Sequence, residues 1–271
     1  MEKAVLSKAD KLDNFLLFKA RYHTFRFTRH SHDDFALGLI EEGVQCFSSR
    51  GRNHTAPKGS LITVNPDEIH DGQSADKNPY GYRLLFIPWE TMQQIGLAAG
   101  PKKSPQYFLS PVTHDQELAC RLAQLLNVLE DPLAEGLEVS SLFFSLVRDL
   151  LLRHGTARGH GGDRNLVPGA IRKVRAYILD MAGEDISLDD MANIAGFSRY
   201  HFLRTFTASQ GISPHAFLLN RRLQLAKAAL MDGATIADAA VQSGFFDQSH
   251  LSRRFKAAFG ITPRQFQKAI S

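Results

Sequence analysis

The sequence predicts an α+β multidomain protein, with a strand-rich N-terminal half closed into a β-barrel or sandwich and an all-α C-terminal half. Three observations carry that prediction. Residues 15–90 alternate short apolar runs with turn-rich stretches, the pattern of successive strands. Beyond residue 110 the apolar residues recur every three or four positions, the pattern of helices. Finally, a segment near residue 200 recurs near residue 250, so the helical half contains a repeat.

The chain of 271 residues has room for two domains, and 44% hydrophobic with 22% charged residues describes a folded chain rather than a disordered one. Its start, "MEKAVLSKAD", has no apolar signal-peptide core, and no run approaches the ~18 apolar residues of a membrane span. A cytoplasmic protein with no membrane partner is the expectation. Only two cysteines occur, Cys46 and Cys120, too few for a disulfide framework or a four-thiolate zinc site, and both are expected to pack as small hydrophobes.

In chain order, "FALGLIEEG", "GVQCFSS", "SLITVNP" and "GYRLLFIP" read as strands, with "SRGRN", "APKG" and "DEIHDGQSADKNPYG" as the turns between them. Strand alternation draws the barrel lining from "FALGLIEEG" and "GVQCFSSRG". Thr113 caps the first helix, with Gln116 three residues on, and Leu118, Leu122, Leu125, Leu126 and Leu129 form its apolar stripe. After the break "EDPLAEG", Leu142, Phe143, Leu146, Val147, Leu150 and Leu151 form a second stripe. The two helices make a hairpin. Leu122, Leu126, Leu146 and Leu150 are candidates for a homodimer interface, with packing inside the hairpin as their competing use. "HGTARGHGGDRNLVPG" is rich in Gly and polar residues and reads as a flexible linker. The division expected is therefore a barrel over 1–110, a hairpin over 111–154, a linker over 155–168 and a helical domain over 169–271.

Charge separates the two halves. Residues 169–271 hold 13 Lys and Arg against 8 Asp and Glu, a net +5, whereas residues 1–168 hold 19 against 20, a net −1. A basic helical domain favours a polyanionic partner. The repeat within it pairs "AGFSRYHFLRTFTASQGISPHAF" with "SGFFDQSHLSRRFKAAFGITPRQF". Gly196-Phe197 matches Gly244-Phe245 at an offset of 48, and Arg204, Phe206, Gly211 and Pro214 match Arg253, Phe255, Gly260 and Pro263 at an offset of 49. One residue is inserted between.

Each copy has the same local logic. Ser187 caps a short helix that ends at Gly196, and Ser198 caps the next, in which Phe202 and Phe206 face a core. At about 100° per residue Tyr200, Arg204 and Thr207 lie opposite them, with Arg199 and Leu203 at the flank. In the second copy Thr235 caps, Gly244 turns, and Leu251 and Phe255 face inward. Ser249, Arg253 and Lys256 face out beside Gln248 and Ser252. A short helix, a glycine turn and a helix with a polar, basic outer face is the helix-turn-helix pattern, whose second helix enters a major groove. Ser213-Pro214 opens a helix that spaces the two units. Duplex DNA presents the same face again after about 34 Å, so two heads read two successive segments.

From about residue 171 to 270 the chain resembles the DNA-binding domain of the AraC/XylS family of transcriptional regulators. The resemblance rests on "IAGFSRYHFLRTFTASQGISPHAF", "RRLQLAKAAL" and "IADAAVQSGFFDQSHLSRRFKAAFGITPRQF". It implies seven helices, with Tyr200, Leu203, Arg204, Ser249, Ser252 and Arg253 at base-reading positions. Leu203 would then read by apolar contact, for example with a thymine methyl. Upstream, "HSHDDF", "GRNHTAPKG" and "NPDEIH" resemble the family's sensor half, a cupin-like barrel followed by a helical hairpin that often dimerises. His30, His32 and His70 are the candidate effector-binding residues. Where a metal-binding cupin would supply a glutamate this chain has Ala36 or Leu37, and where it would supply a later histidine it has Ile62, so no metal or other cofactor and no enzymatic activity are expected. Double-stranded DNA, a small-molecule effector, a second copy of the chain and RNA polymerase are the partners the resemblance implies, and the mixed polar and aromatic content of the strands suggests a small polar metabolite as the effector.

Overall fold

Short runs rich in aromatic and branched apolar residues give the N-terminal unit its strands, and some of them, such as 35–40 and 61–64, are buried on both faces. β1 (Lys3–Ala9), β2 (Phe15–Tyr22), β3 (Phe27–His30), β4 (Phe35–Glu42), β5 (Val44–Ser49), β6 (Arg52–Pro57), β7 (Leu61–Val64), β8 (His70–Ser74) and β9 (Tyr80–Ile87) follow in order. After them come α1 (Trp89–Ala99), β10 (Tyr107–Phe108), β11 (Val112–Thr113), α2 (Gln116–Glu130), α3 (Gly136–His154) and β12 (Gly155–Thr156). This computed structural model describes residues 2–13, 15–76, 78–99, 107–156 and 168–270. Most of the linker expected over 155–168 lies outside the described residues.

Two sheets face one another, one ordered β1-β2-β9-β4-β7-β11 and the other β3-β8-β5-β6, and β10 pairs with β12. On the larger sheet, Phe15, Leu17, Phe35, Leu37, Leu39, Leu61, Leu85 and Ile87 turn outward into one core with the helices. The alternate residues, among them Phe18, Tyr22, Tyr80 and Tyr82, turn inward. Tyr22 on β2 meets Phe27 on β3 edge to face, so the two sheets close over a shared aromatic interior.

The leucine stripes of α2 and α3 are spent within this unit. Leu122, Leu126, Leu146 and Leu150 are at most 2% exposed and belong to the core under the sheet, which overturns their candidacy as a dimer interface. The helices are antiparallel: Arg121 pairs with Asp149 at 2.7 Å, and Arg153 and His154 at the end of α3 reach Asp115 at the start of α2, at 3.2 and 3.0 Å. Asp115, not Thr113, is the N-cap, accepting from the Leu118 amide at 3.1 Å. Thr113 is unavailable because β11 pairs with β7, opposite Leu61. Hydrogen bonds from His154, the Leu118 amide and Arg153 hold the Asp115 carboxyl down to about 2.

The structure departs from the expectation in four further places. "DEIHDGQSADKNPYG" contains β8, whose polar residues HDGQS gave no apolar signal. "SRGRN" and "APKG" each lend residues to β6. The strand β1 and the helix α1 were not anticipated. Cys120 is exposed and Cys46 half-buried; on α2 the core side is taken by Leu118, Leu122 and Leu125, and Cys120 falls away from it.

Among the described residues from 168 onward every element is a helix: α4 (Gly169–Met181), α5 (Leu188–Ala195), α6 (Arg199–Gln210), α7 (Pro214–Met231), α8 (Ile236–Gln242), α9 (Gln248–Phe259) and α10 (Pro263–Ile270). These are the seven helices expected. Ile171, Val174, Ile178, Met191, Ala192, Phe202, Phe206 and Leu218 form the core of its first part. Leu230, Ala239, Ala240, Leu251, Phe255 and Phe266 are buried in the second. Among the described residues no helix is long and apolar enough to cross a membrane.

Candidate nucleic-acid interface and ligand site

Both helix pairs are built by the same caps. Ser187 and Asp190 form a capping box at the start of α5, and Thr235 accepts from the Asp238 amide at the start of α8. Each short helix then reaches a left-handed glycine, Gly196 at φ 67° and Gly244 at φ 75°, where an L side chain is disfavoured. Ser198 caps α6 and Asp247 caps α9, accepting from His250 N at 2.6 Å. Asp247 is thereby committed to the backbone rather than to Arg253.

Phe202 and Phe206 of α6, like Leu251 and Phe255 of α9, are fully buried. Their positions fix which faces point out. Arg199, Tyr200, Leu203, Arg204 and Thr207 are exposed on α6, and Gln248, Ser249, Arg253 and Lys256 on α9, with Ser252 half-buried beside them. Arg204 and Arg253 make no hydrogen bond or ion pair among the described residues. Arg199 differs, since it pairs with Asp189 of α5: the hydrogen bonds between them lower the Asp189 carboxyl and raise the Arg199 guanidinium, so each group's charged form is favoured by the other.

The spacing between heads is set from α7. Arg222 donates from Nε to the Ala182 carbonyl at 2.8 Å and from Nη2 to that of Glu184 at 2.7 Å, tying α7 to the turn that follows α4. A Cβ at Gly244 would come within 2.8 Å of the Gly183 oxygen and 2.9 Å of Arg222 Nε. The second head therefore rests directly on the base of the first. Sequence reading missed Arg222, which looks like any charged residue in a helix.

In the N-terminal unit, Tyr22, Tyr80 and Tyr82 form a linked aromatic group, Tyr80 and Tyr82 stacking at 5.8 Å and Tyr22 stacking on Phe25 at 4.9 Å. Burial pushes the tyrosine hydroxyls up, so they stay neutral. The Tyr80 hydroxyl and the Gln45 amide oxygen are buried with no hydrogen-bond partner among the described residues. Such atoms cost stability unless something supplies the bond. A groove of about 460 Å³, lined by His23, Thr24, Phe25, Arg26, Gln73, Ser74 and Asp76, opens beside the Phe25 ring. Sequence reading singled out none of these residues, placing Tyr80 in the turn "DEIHDGQSADKNPYG"; the signal that could have found them is the spacing of two between Tyr80 and Tyr82, and between Gln45, Phe47 and Ser49.

The structure brings His32 and His70 together, with ring centroids 5.0 Å apart and Phe86 at 5.3 Å from His32. Each of the three histidines donates from Nδ1 to a carbonyl two residues away: His30 to Thr28, His32 to Asp34 and His70 to Glu68. Burial lowers His70 and favours its neutral form. Among the described residues no three His, Cys, Asp or Glu side chains converge as metal ligands. Glu68 is fixed by Arg50, Ser49 and Asn65. Burial raises its carboxyl, and the Arg50 hydrogen bond and charge outweigh that and hold it below the usual carboxylate range.

A closed strand unit with unsatisfied polar atoms inside, in one chain with two helix-turn-helix heads, defines a transcriptional regulator with a ligand-binding domain and a DNA-binding domain. Comparison with known proteins agrees. An AraC-like ligand binding domain matches residues 14–147 and a helix-turn-helix domain matches residues 191–269. The Transposon Tn10 TetD protein of Escherichia coli is 31% identical over 107 residues, 39% of this chain and 78% of that protein. YbfI of Bacillus subtilis, an uncharacterized HTH-type transcriptional regulator, is 29% identical over 226 residues, 83% of this chain and 82% of its own. ToxT of Vibrio cholerae shares the fold, with a TM-score of 0.57 at 12% identity over 96% of this chain and 99% of that one. The chain belongs to the AraC/XylS family of transcriptional regulators.

Proposed function

We propose that the heads read two successive major-groove segments of double-stranded DNA. Arg199, Tyr200, Leu203, Arg204 and Thr207 serve the first segment, and Gln248, Ser249, Ser252, Arg253 and Lys256 the second. The observation that carries this reading is the pair of matched arginines, Arg204 and Arg253, exposed on the outer face of their helices and engaged in no ion pair among the described residues. An arginine held in that way can donate two bonds to guanine O6 and N7. Arg199 has less to give, since Asp189 already neutralises it.

Control comes from a small polar effector in the barrel, which occupies residues 1–110 of the functional division, followed by a hairpin over 111–154, a linker over 155–168 and the DNA-binding domain over 169–271. The effector supplies a donor to the Gln45 oxygen and a partner to the Tyr80 hydroxyl, and His32 and His70 lie on the same interior with His30 nearby in sequence. A solved ToxT structure has an unsaturated fatty acid bound; the tyrosine and glutamine lining here favours a more polar molecule. The protein works in the cytoplasm as a homodimer, through the outer side of α3 where Leu137 is 79% and Phe144 51% exposed. It contacts RNA polymerase and catalyses no reaction of its own.

Thermal melting of the full chain against a panel of polar metabolites tests the effector reading. A true effector at 100 times its dissociation constant adds about 2.7 kcal/mol. It should also change affinity for DNA. A metabolite that stabilises the wild type and Tyr80→Phe equally, and shifts DNA affinity equally in both, would place the effector elsewhere.

A further inference from the structure

The repeat is unequal at one place, and the structure locates it. The left-handed glycines Gly196 and Gly244 are 48 residues apart, as are the phenylalanines that follow them, Phe197 and Phe245. The helix caps Ser198 and Asp247 are 49 apart. The inserted residue is therefore Phe246. Phe245 does the packing and is 5% exposed, whereas Phe246 is 91% exposed, the highest value among the exposed large hydrophobic side chains of the described residues.

Its surroundings are those of a recognition helix and not of an apolar patch. Phe246 immediately precedes the cap of α9, Asp247, and Gln248, Ser249, Arg253, Arg254 and Lys256 are exposed along the helix that follows. Residues at the N-terminal end of such a helix approach base edges, and a phenylalanine there can make apolar contact with the 5-methyl group of thymine. An apolar protein partner fits poorly against that basic, polar face, while a thymine sits among phosphates that the face attracts.

Resting on the reading of α9 as the second reading helix, we propose that Phe246 is a specificity residue that packs on one thymine methyl in the DNA segment read by α9. The first head lacks it, so the two segments of the site are read by different rules although the heads share one ancestor pattern.

Deoxyuridine removes that methyl and leaves every hydrogen-bonding group in place. The wild-type chain selects its preferred duplex from a randomised pool, and each thymine in it is then replaced singly by deoxyuridine. Binding is measured for the wild type, Phe246→Ala, Phe246→Leu and Arg253→Ala, each with a melting curve. One thymine, beside the base pair at which Arg253→Ala relaxes preference, should cost the wild type about fourfold on losing its methyl, the worth of one buried methyl group. Phe246→Ala should bind the unmodified duplex at least that much more weakly and be indifferent to deoxyuridine at that position, while Phe246→Leu keeps part of the effect. Melting should not change, because the ring is not packed. Wild-type affinity in Phe246→Ala together with a loss in Arg253→Ala overturns the proposal and leaves the head intact. A weaker Phe246→Ala that still senses the methyl also overturns it, assigning the ring to the sugar-phosphate backbone. Wild-type binding by both variants overturns the reading of α9 as well.

Discussion

Tyr80 is the residue whose environment says most about the ligand-binding unit. Its ring is 0% exposed and its hydroxyl lacks a partner among the described residues. Removing the hydroxyl from the free protein removes a desolvated donor without breaking a bond, so Tyr80→Phe should hold or raise the melting temperature, within about 1 kcal/mol. The same variant should lose part of the stabilisation that an effector confers. A clear drop in stability of the free protein would mean that the hydroxyl is already bonded, and the ligand argument built on it would fail. The exposed residues of α6 and α9 proposed to read DNA were legible in the sequence because helical periodicity sorts buried phenylalanines from exposed arginines. Burial did not reveal Arg199's commitment to Asp189, which depends on α5 lying beside α6. Nor was the tyrosine group singled out, since it assembles from β2 and β9, strands distant in the chain.

At the scale of elements, two glycines with the same backbone conformation make unequal demands. Gly196 has nothing within 4 Å of where a Cβ would stand, so Gly196→Ala should cost only the left-handed backbone penalty, about 1–2 kcal/mol. Gly244 adds close approaches to the Gly183 and Ala182 carbonyls, and Gly244→Ala should cost more than Gly196→Ala and weaken binding to two-segment sites beyond its effect on stability. Chemical denaturation of both variants orders them; equal costs would contradict the tight seat of the second head. The hairpin offers a pH test. Asp115 is held at about 2, below its ordinary 3.8, so the folded state favours its charged form. Its contribution is complete above about pH 4 and is lost as pH falls from there through 2. Melting curves across that window should show a steeper decline for the wild type than for Asp115→Asn, and parallel declines would exclude the His154 and Arg153 contacts as its source. Apolar strands and helices of these elements were legible; β8 was not, because a polar strand on a smaller sheet carries no period-2 apolar signal, and Thr113 was misread as a cap because β11 engages it.

For the whole molecule, the division into strand-built and helical units followed from the change of period near residue 110, and the duplicated heads from the repeat itself. The leucine stripes could not be assigned from sequence, because an apolar face reads the same whether a sheet or a second chain covers it. The homodimer proposed above uses the exposed side of α3, so Leu137→Glu with Phe144→Glu should convert it to a monomer in sedimentation without changing the melting temperature. A dimer that survives both substitutions lies elsewhere. The central claim is that one chain reads DNA twice, once from each head. Binding-site selection with the wild type, Arg204→Ala and Arg253→Ala tests it most directly. Each variant should lose about 1–3 kcal/mol on the wild-type site and relax preference at a single guanine, with the two guanines about one helical turn, 34 Å, apart and the melting temperatures unchanged. Unaltered sequence preference in both variants, or losses shared equally by all sequences with a salt dependence reduced by about one unit, would contradict it.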